Sequence, residues 1–145
     1  MNSGKIRWCE ENILTTYPWK LSITLLVFTL AILLLGCTKG QSGAAQAIEA
    51  YIQALSNKDT AKISNVSCVD WEQNALLEID SLTGVGSKVE NLACAESGQS
   101  GADKYVSCKG VLSLDYNGEA QQIDLSSRTY IARQESGEWR MCGYH

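Results

Sequence analysis

Several residue types that punctuate chains or carry out chemistry are almost missing from this sequence. Among 145 residues there is one proline, Pro18, and one histidine, His145, which is the last residue. A lone histidine at the end of the chain leaves catalytic triads and histidine-based metal sites almost nothing to work with. No CxxC pair occurs, which removes the spacing of zinc ribbons and of thiol redox motifs. No GK[ST] follows a glycine-rich stretch. Ser97-Gly98-Gln99-Ser100-Gly101 fits neither a phosphate loop nor a nucleophile elbow, because Ala102 stands where the elbow needs glycine. We read that stretch as a hairpin loop, and the sequence implies no metal and no cofactor. Positive charge is also scarce: 12 Lys and Arg face 16 Asp and Glu. Setting aside Lys5, Arg7, Lys20, Glu10 and Glu11, which all precede Cys37, leaves 9 against 14. That balance argues against nucleic acid as a partner.

What the chain does contain is one long apolar run. Residues 21–35 read LSITLLVFTLAILLL, uncharged and rich in Leu and Ile. That is the length of a signal-peptide apolar core and short of the roughly twenty residues of a spanning helix. The run ends in Leu34-Leu35-Gly36-Cys37, which resembles the lipobox of bacterial lipoproteins, where the cysteine is lipidated and becomes the new N-terminus. Leu35 departs from that pattern, since a smaller residue is commoner there, so an uncleaved signal anchor is the alternative. In either case Lys5, Arg7 and Lys20 precede the apolar segment, and the positive-inside rule exports everything after it. Residues 1–36 are thus a signal peptide or anchor helix, 37–43 a tether, and 44–145 one small domain outside the cytoplasm at a cell or outer membrane. The expected membrane partner is lipid, through Cys37 or through the apolar helix. Thr38 in place of Asp resembles lipoproteins that are not retained at an inner membrane.

With Cys9 before the run and Cys37 taking lipid, Cys68, Cys94, Cys108 and Cys142 remain, an even number in a small exported body, which is a disulfide framework. Four cysteines allow three pairings. The strand pattern favours Cys94 with Cys108 across a hairpin and Cys68 with Cys142.

Ala44, Ala45, Ile48, Tyr51, Ile52 and Leu55 recur at helical spacing and predict a helix over 44–56. Asp59 caps a short second helix through Ile63. Asp70 with Gln73 forms a capping box for a third, which carries Trp71, Ala75, Leu76, Ile79 and Leu82 inward and stops at Gly84. From about Lys88 the period becomes two, with Val106, Cys108, Leu112 and Leu114 on one face of a strand. Asn117-Gly118 is a two-residue hairpin signal and sets Leu112 opposite Ile123. A turn at Ser136-Gly137 returns the chain through Trp139, Met141 and Cys142. The fold class is α+β: helices first, then a curved antiparallel sheet of about four strands. The register, continued past the hairpin, sets Tyr105 opposite Tyr130. It makes Tyr105, Lys109, Arg128 and Tyr130 an outer face, either plainly solvated or used for recognition, and leaves the inner face without a titratable group. On the third helix, Glu72, Glu78 and Asp80 fall mainly on the polar side.

The opening AAQAIEAYIQALSNKDTAKI, the ending GEWRMCG and the order of elements resemble the nuclear transport factor 2-like superfamily in its bacterial exported-lipoprotein branch, over most of the chain from Ala44. That resemblance implies a cone in which a curved sheet wraps the helices and often leaves a pocket. Its members range from ketosteroid isomerase-like enzymes to binding modules, so fold does not give function, and no motif carries catalytic residues onto positions here. The function expected is a non-catalytic domain that binds a small apolar ligand or another envelope protein. The alternatives are a cavity enzyme of the isomerase or dehydratase kind, which needs an ionisable residue inside the cone, and a structural envelope component.

Overall fold

A computed structural model describes residues 41–145. The lipobox-like segment, Cys37 and the apolar run lie outside the described residues. Among those described, no helix is long and apolar enough to cross a membrane.

Among the described residues three helices precede five strands: α1 (Gly43–Asn57), α2 (Thr60–Val66), α3 (Glu72–Ser81), β1 (Gly86–Ser100), β2 (Asp103–Tyr116), β3 (Glu119–Asp124), β4 (Thr129–Glu135) and β5 (Glu138–Tyr144), with a 3-10 turn at Leu125–Ser127 before β4. α1 begins where the Ser42 side chain accepts from the Ala45 N–H, satisfying one of the amide donors that a helix start leaves free. Gly43, expected in the tether, is its first residue, and a Cβ there would meet the Trp139 ring at 2.6 Å. Only glycine allows the helix to start this close to β5. The spacing of Ala44, Ala45, Ile48, Tyr51 and Ile52 puts all five in the core. Asp59 caps α2 through the Lys62 N–H at 2.9 Å.

The capping box expected at the third helix is not formed. Trp71 stands at the cap position without a side-chain cap bond. The amides of Trp71 and Glu72 instead donate to the Cys68 carbonyl, both at 2.9 Å, so a preceding turn runs into the helix start and Asp70 is not its cap.

The sheet is antiparallel in the order β1-β2-β4-β5, with β3 also paired to β2. β2 is its spine. One edge pairs along β1, while the other pairs with β4 over Lys104–Ser107 and with β3 over Val111–Tyr116. The sheet has five strands rather than about four, and β1 is longer than expected. Gln99 and Ser100 pair with Lys104 and Asp103, so the glycine-rich stretch is mostly strand and the turn shrinks to Gly101-Ala102. The strand bends midway, where Asn91 (φ 53°) breaks the β1–β2 register opposite Gly110 (φ 119°). Such bulges curve a sheet, and here the curve wraps α1 and α3.

Both disulfides join the pairs expected. Cys94 and Cys108 are register partners on β1 and β2, with Cα atoms 4.1 Å apart. Cys68 and Cys142 are 5.0 Å apart. Beside the latter, Ser67 makes a parallel bridge to Met141 and the Cys68 N–H donates to the Met141 carbonyl at 2.7 Å, which covers the β5 edge. The free edge of β1 is blunted at Cys94, whose N–H donates to Glu49 (2.8 Å) and whose carbonyl accepts from Gln41 (3.2 Å). Open strand edges invite pairing with other chains, and side chains that consume their hydrogen bonds prevent it. Two disulfides belong to an oxidising compartment, which places the domain outside the cytoplasm.

Candidate functional site

α1 and α3 lie inside the curve of the sheet, and a pocket of about 180 Å³ opens between them and β2–β5. One wall is aliphatic: Ile52 and Leu55 from α1, Leu82 after α3, Leu112 from β2, Ile123 from β3 and Leu125 from the 3-10 turn. Leu112 faces Ile123 across the hairpin, as the Asn117-Gly118 turn requires.

The other end is polar, contrary to the inner face expected. It holds Glu78, Tyr51, Tyr144, Tyr130, Ser81 and Arg128. Glu78 belongs to the stripe Trp71, Ala75, Glu78, Leu82, spaced four, three and four residues, which is one face of a helix, so it turns inward with its apolar neighbours. Its Oε2 accepts from two phenols, Tyr51 at 2.8 Å and Tyr144 at 3.0 Å. Tyr51 in turn accepts from Trp71 Nε1 at 3.2 Å. Trp71 packs edge-on to Tyr144, ring centroids 5.5 Å apart. A closed network of aromatic donors thus surrounds one carboxylate oxygen.

Burial pushes the phenols of Tyr51 and Tyr144 far above the ordinary tyrosine range, and the charge of Glu78 adds to the effect. Both stay protonated at any physiological pH and serve as fixed donors. Tyr130, 2% exposed, is pushed up to about 12, chiefly by burial, with the Arg128 charge opposing. Its hydroxyl has no protein hydrogen-bond partner among the described residues. Arg128 is exposed at the pocket mouth, its guanidinium 4.9 Å from the centroid of the Tyr144 ring.

The outer face proposed from sequence does not hold together. Tyr105 and Lys109 do lie on the outward side of β2, where the Tyr105 ring packs on His145 at 4.5 Å between centroids. Arg128 and Tyr130 line the pocket instead. The reason is a slip of one residue. The β2–β3 hairpin pairs Leu112 with Ile123, and continuing it would pair Tyr105 with Tyr130. The 3-10 turn after Asp124 takes up one extra residue, so Val106 faces Tyr130 and Tyr105 faces Ile131. A shift of one residue moves every side chain to the opposite face.

Cys68, Cys142 and Glu135 have ligand atoms within 4.8 Å of one another. The two sulfurs are joined to each other and Glu135 accepts from the Val69 N–H at 3.1 Å, so this cluster fastens the chain before α3 to the last two strands.

No protein-family model matches the chain, and no curated protein matches it. Among solved structures it is similar in outline to a nuclear transport factor 2-like protein with a cystatin-like fold from Novosphingobium aromaticivorans (13% identity, 88% of this chain and 86% of that one, TM-score 0.45). Others are a candidate scytalone dehydratase from the same organism (11%, 83% of each chain, 0.47) and a candidate polyketide cyclase from Pseudomonas putida (9%, 73% and 92%, 0.48).

Proposed function

We propose that residues 44–145 are a ligand-binding domain of the nuclear transport factor 2-like type, held at a membrane outside the cytoplasm through lipid on Cys37. One observation carries the binding reading: a pocket with an aliphatic wall and a single polar end, lined from both helices and the sheet. Ligand sites are mostly apolar concavities with a few convergent polar groups. This one is smaller than the roughly 300–1,000 Å³ of drug-sized sites, so its occupant is of small-metabolite size. The address is supported by the Leu34-Leu35-Gly36-Cys37 sequence and by the two disulfides.

Two measurements test this. The intact mass of protein extracted from membranes is expected to be that of a chain beginning at acylated Cys37; a full-length mass would leave an uncleaved anchor in its place. For the pocket, neutral 4-methyl-1-pentanol is expected to shift the methyl resonances of Leu112, Ile123 and Leu125 in a titration that saturates. Unchanged methyl resonances would sink the binding reading.

Glu78 supports a second reading. A carboxylate inside the cone, with one oxygen held by two phenols and the other free to accept, is the ionisable group a cavity enzyme needs. An enzyme that abstracts a proton from carbon would exchange solvent deuterium into a co-purified ligand, and Glu78→Gln would abolish the exchange. A bound ligand that gains no deuterium leaves the domain a binder.

A further inference from the structure

Resting on the ligand-binding reading, we infer that the pocket takes a small zwitterion of the α-amino-acid type with an aliphatic side chain. The polar end carries one charge of each sign, and among the described residues neither is in an ion pair. Glu78 accepts only phenolic O–H groups, both on Oε2, which leaves Oε1 to receive a donor from the ligand. Arg128 is in no ion pair among the described residues; its guanidinium rests against the Tyr144 ring. Tyr144 therefore stands between the two charges, with its hydroxyl on Glu78 and its ring under Arg128.

The unpartnered Tyr130 hydroxyl is the second observation. The Tyr130 side chain lines the pocket, where the hydroxyl is open to an occupant, and it is two residues from Arg128 on extended backbone, so the two line the same pocket. Arg128 and Tyr130 together offer a guanidinium and a hydroxyl, a donor pair suited to a carboxylate. An ammonium group facing Glu78 with a carboxylate facing Arg128 and Tyr130 uses every free polar group at this end. A short aliphatic side chain then covers Leu112, Ile123 and Leu125. The pocket volume of about 180 Å³ suits one such residue and leaves little space for a peptide.

Four probes share one branched body: leucine with both groups, 4-methylpentanoate with the acid alone, 3-methylbutylamine with the ammonium alone, and 4-methyl-1-pentanol with neither charge. Titration of the disulfide-bonded domain, within the full chain in detergent, is expected to show leucine bound about tenfold or more tighter than either single-charge probe, since each charge-assisted hydrogen bond is among the stronger kind. Arg128→Leu should bring leucine to the affinity of the amine, and Glu78→Gln to that of the acid. Arg128 is at the exposed mouth, so its variant tests the idea even if Glu78→Gln fails to fold. Leucine binding no tighter than the better single-charge probe, or unaffected by Arg128→Leu, overturns the inference. If 4-methyl-1-pentanol still shifts the pocket methyls in that case, the binding reading stands without it; if none of the four binds, both fall.

Discussion

Two residues show how local rules and packing combine at single positions. Gly110 has φ 119°, and a Cβ there would lie 2.7 Å from the Glu90 carbonyl oxygen and 2.9 Å from that of Asn91. Those atoms are backbone, fixed by the bulge, and cannot swing away. Gly110→Ala is expected to cost about 2 kcal/mol or more in urea unfolding, combining positive-φ strain with a steric clash; a variant within 0.5 kcal/mol of the parent, roughly the noise of a surface substitution, would contradict the bulge geometry. Glu78 was legible in principle, because Trp71, Ala75, Glu78 and Leu82 share one helical face. A carboxylate in that stripe reads as an error of periodicity until Tyr51 and Tyr144, from α1 and β5, are seen to donate to it. Spacing along one helix says nothing about partners 27 and 66 residues away. The same phenols set an alkaline limit. An unfolded tyrosine ionises near 10, and Tyr51, Tyr130 and Tyr144 are all raised above that, Tyr130 to about 12. Their neutral forms therefore stabilise the fold fully below pH 10; the contribution of Tyr130 is lost as pH rises from about 10 through about 12, and those of Tyr51 and Tyr144, raised further, decline over a range that extends above it. Phenolate absorbance from these three is expected to appear together with loss of the near-ultraviolet circular dichroism. Their ionisation near pH 10 with the dichroism intact would show that they are not enclosed.

At the scale of elements, the turns decided what the sequence could tell. The Asn117-Gly118 hairpin fixes its own register, and Leu112 faces Ile123 as that register demands. The 3-10 turn at Leu125–Ser127 carries no comparable signal in its residues, yet it shifts β4 by one and turns Tyr130 and Arg128 into the pocket. The Asp70–Gln73 pattern was a sound capping signal that lost to a turn already holding the amides of Trp71 and Glu72 on the Cys68 carbonyl. The disulfides differ in what they hold. Cys94–Cys108 ties adjacent strands across a separation of 14 residues, Cys68–Cys142 spans 74. In the chain-entropy model these contribute about 3 and about 4–5 kcal/mol. Alanine at both cysteines of each pair is expected to lower the unfolding free energy in that order. A larger loss from the hairpin pair would show that the Cys68–Cys142 link adds little beyond the hydrogen bonds beside it.

Across the whole molecule, the order of helices then meander and the Cys94–Cys108 pairing were readable, because each depends on neighbours close in sequence or on parity along a strand, and the Cys68–Cys142 pairing followed as the two cysteines left over. The pocket was not. It arises from the bend at Asn91 and Gly110, from the 3-10 turn and from the way α1 and α3 fit inside the curve, none of which a periodicity expresses. The longer disulfide has a bearing on survival outside the cytoplasm, where proteases are met. Every strand-to-strand connection, at Gly101-Ala102, at Asn117-Gly118, at the 3-10 turn Leu125–Ser127 and at Ser136-Gly137, falls between Cys68 and Cys142. A single cut at any of them opens the chain but releases no fragment. Nicked protein is expected to migrate as one species without reductant and as two with it, so any one of these connections can be severed while both pieces stay joined.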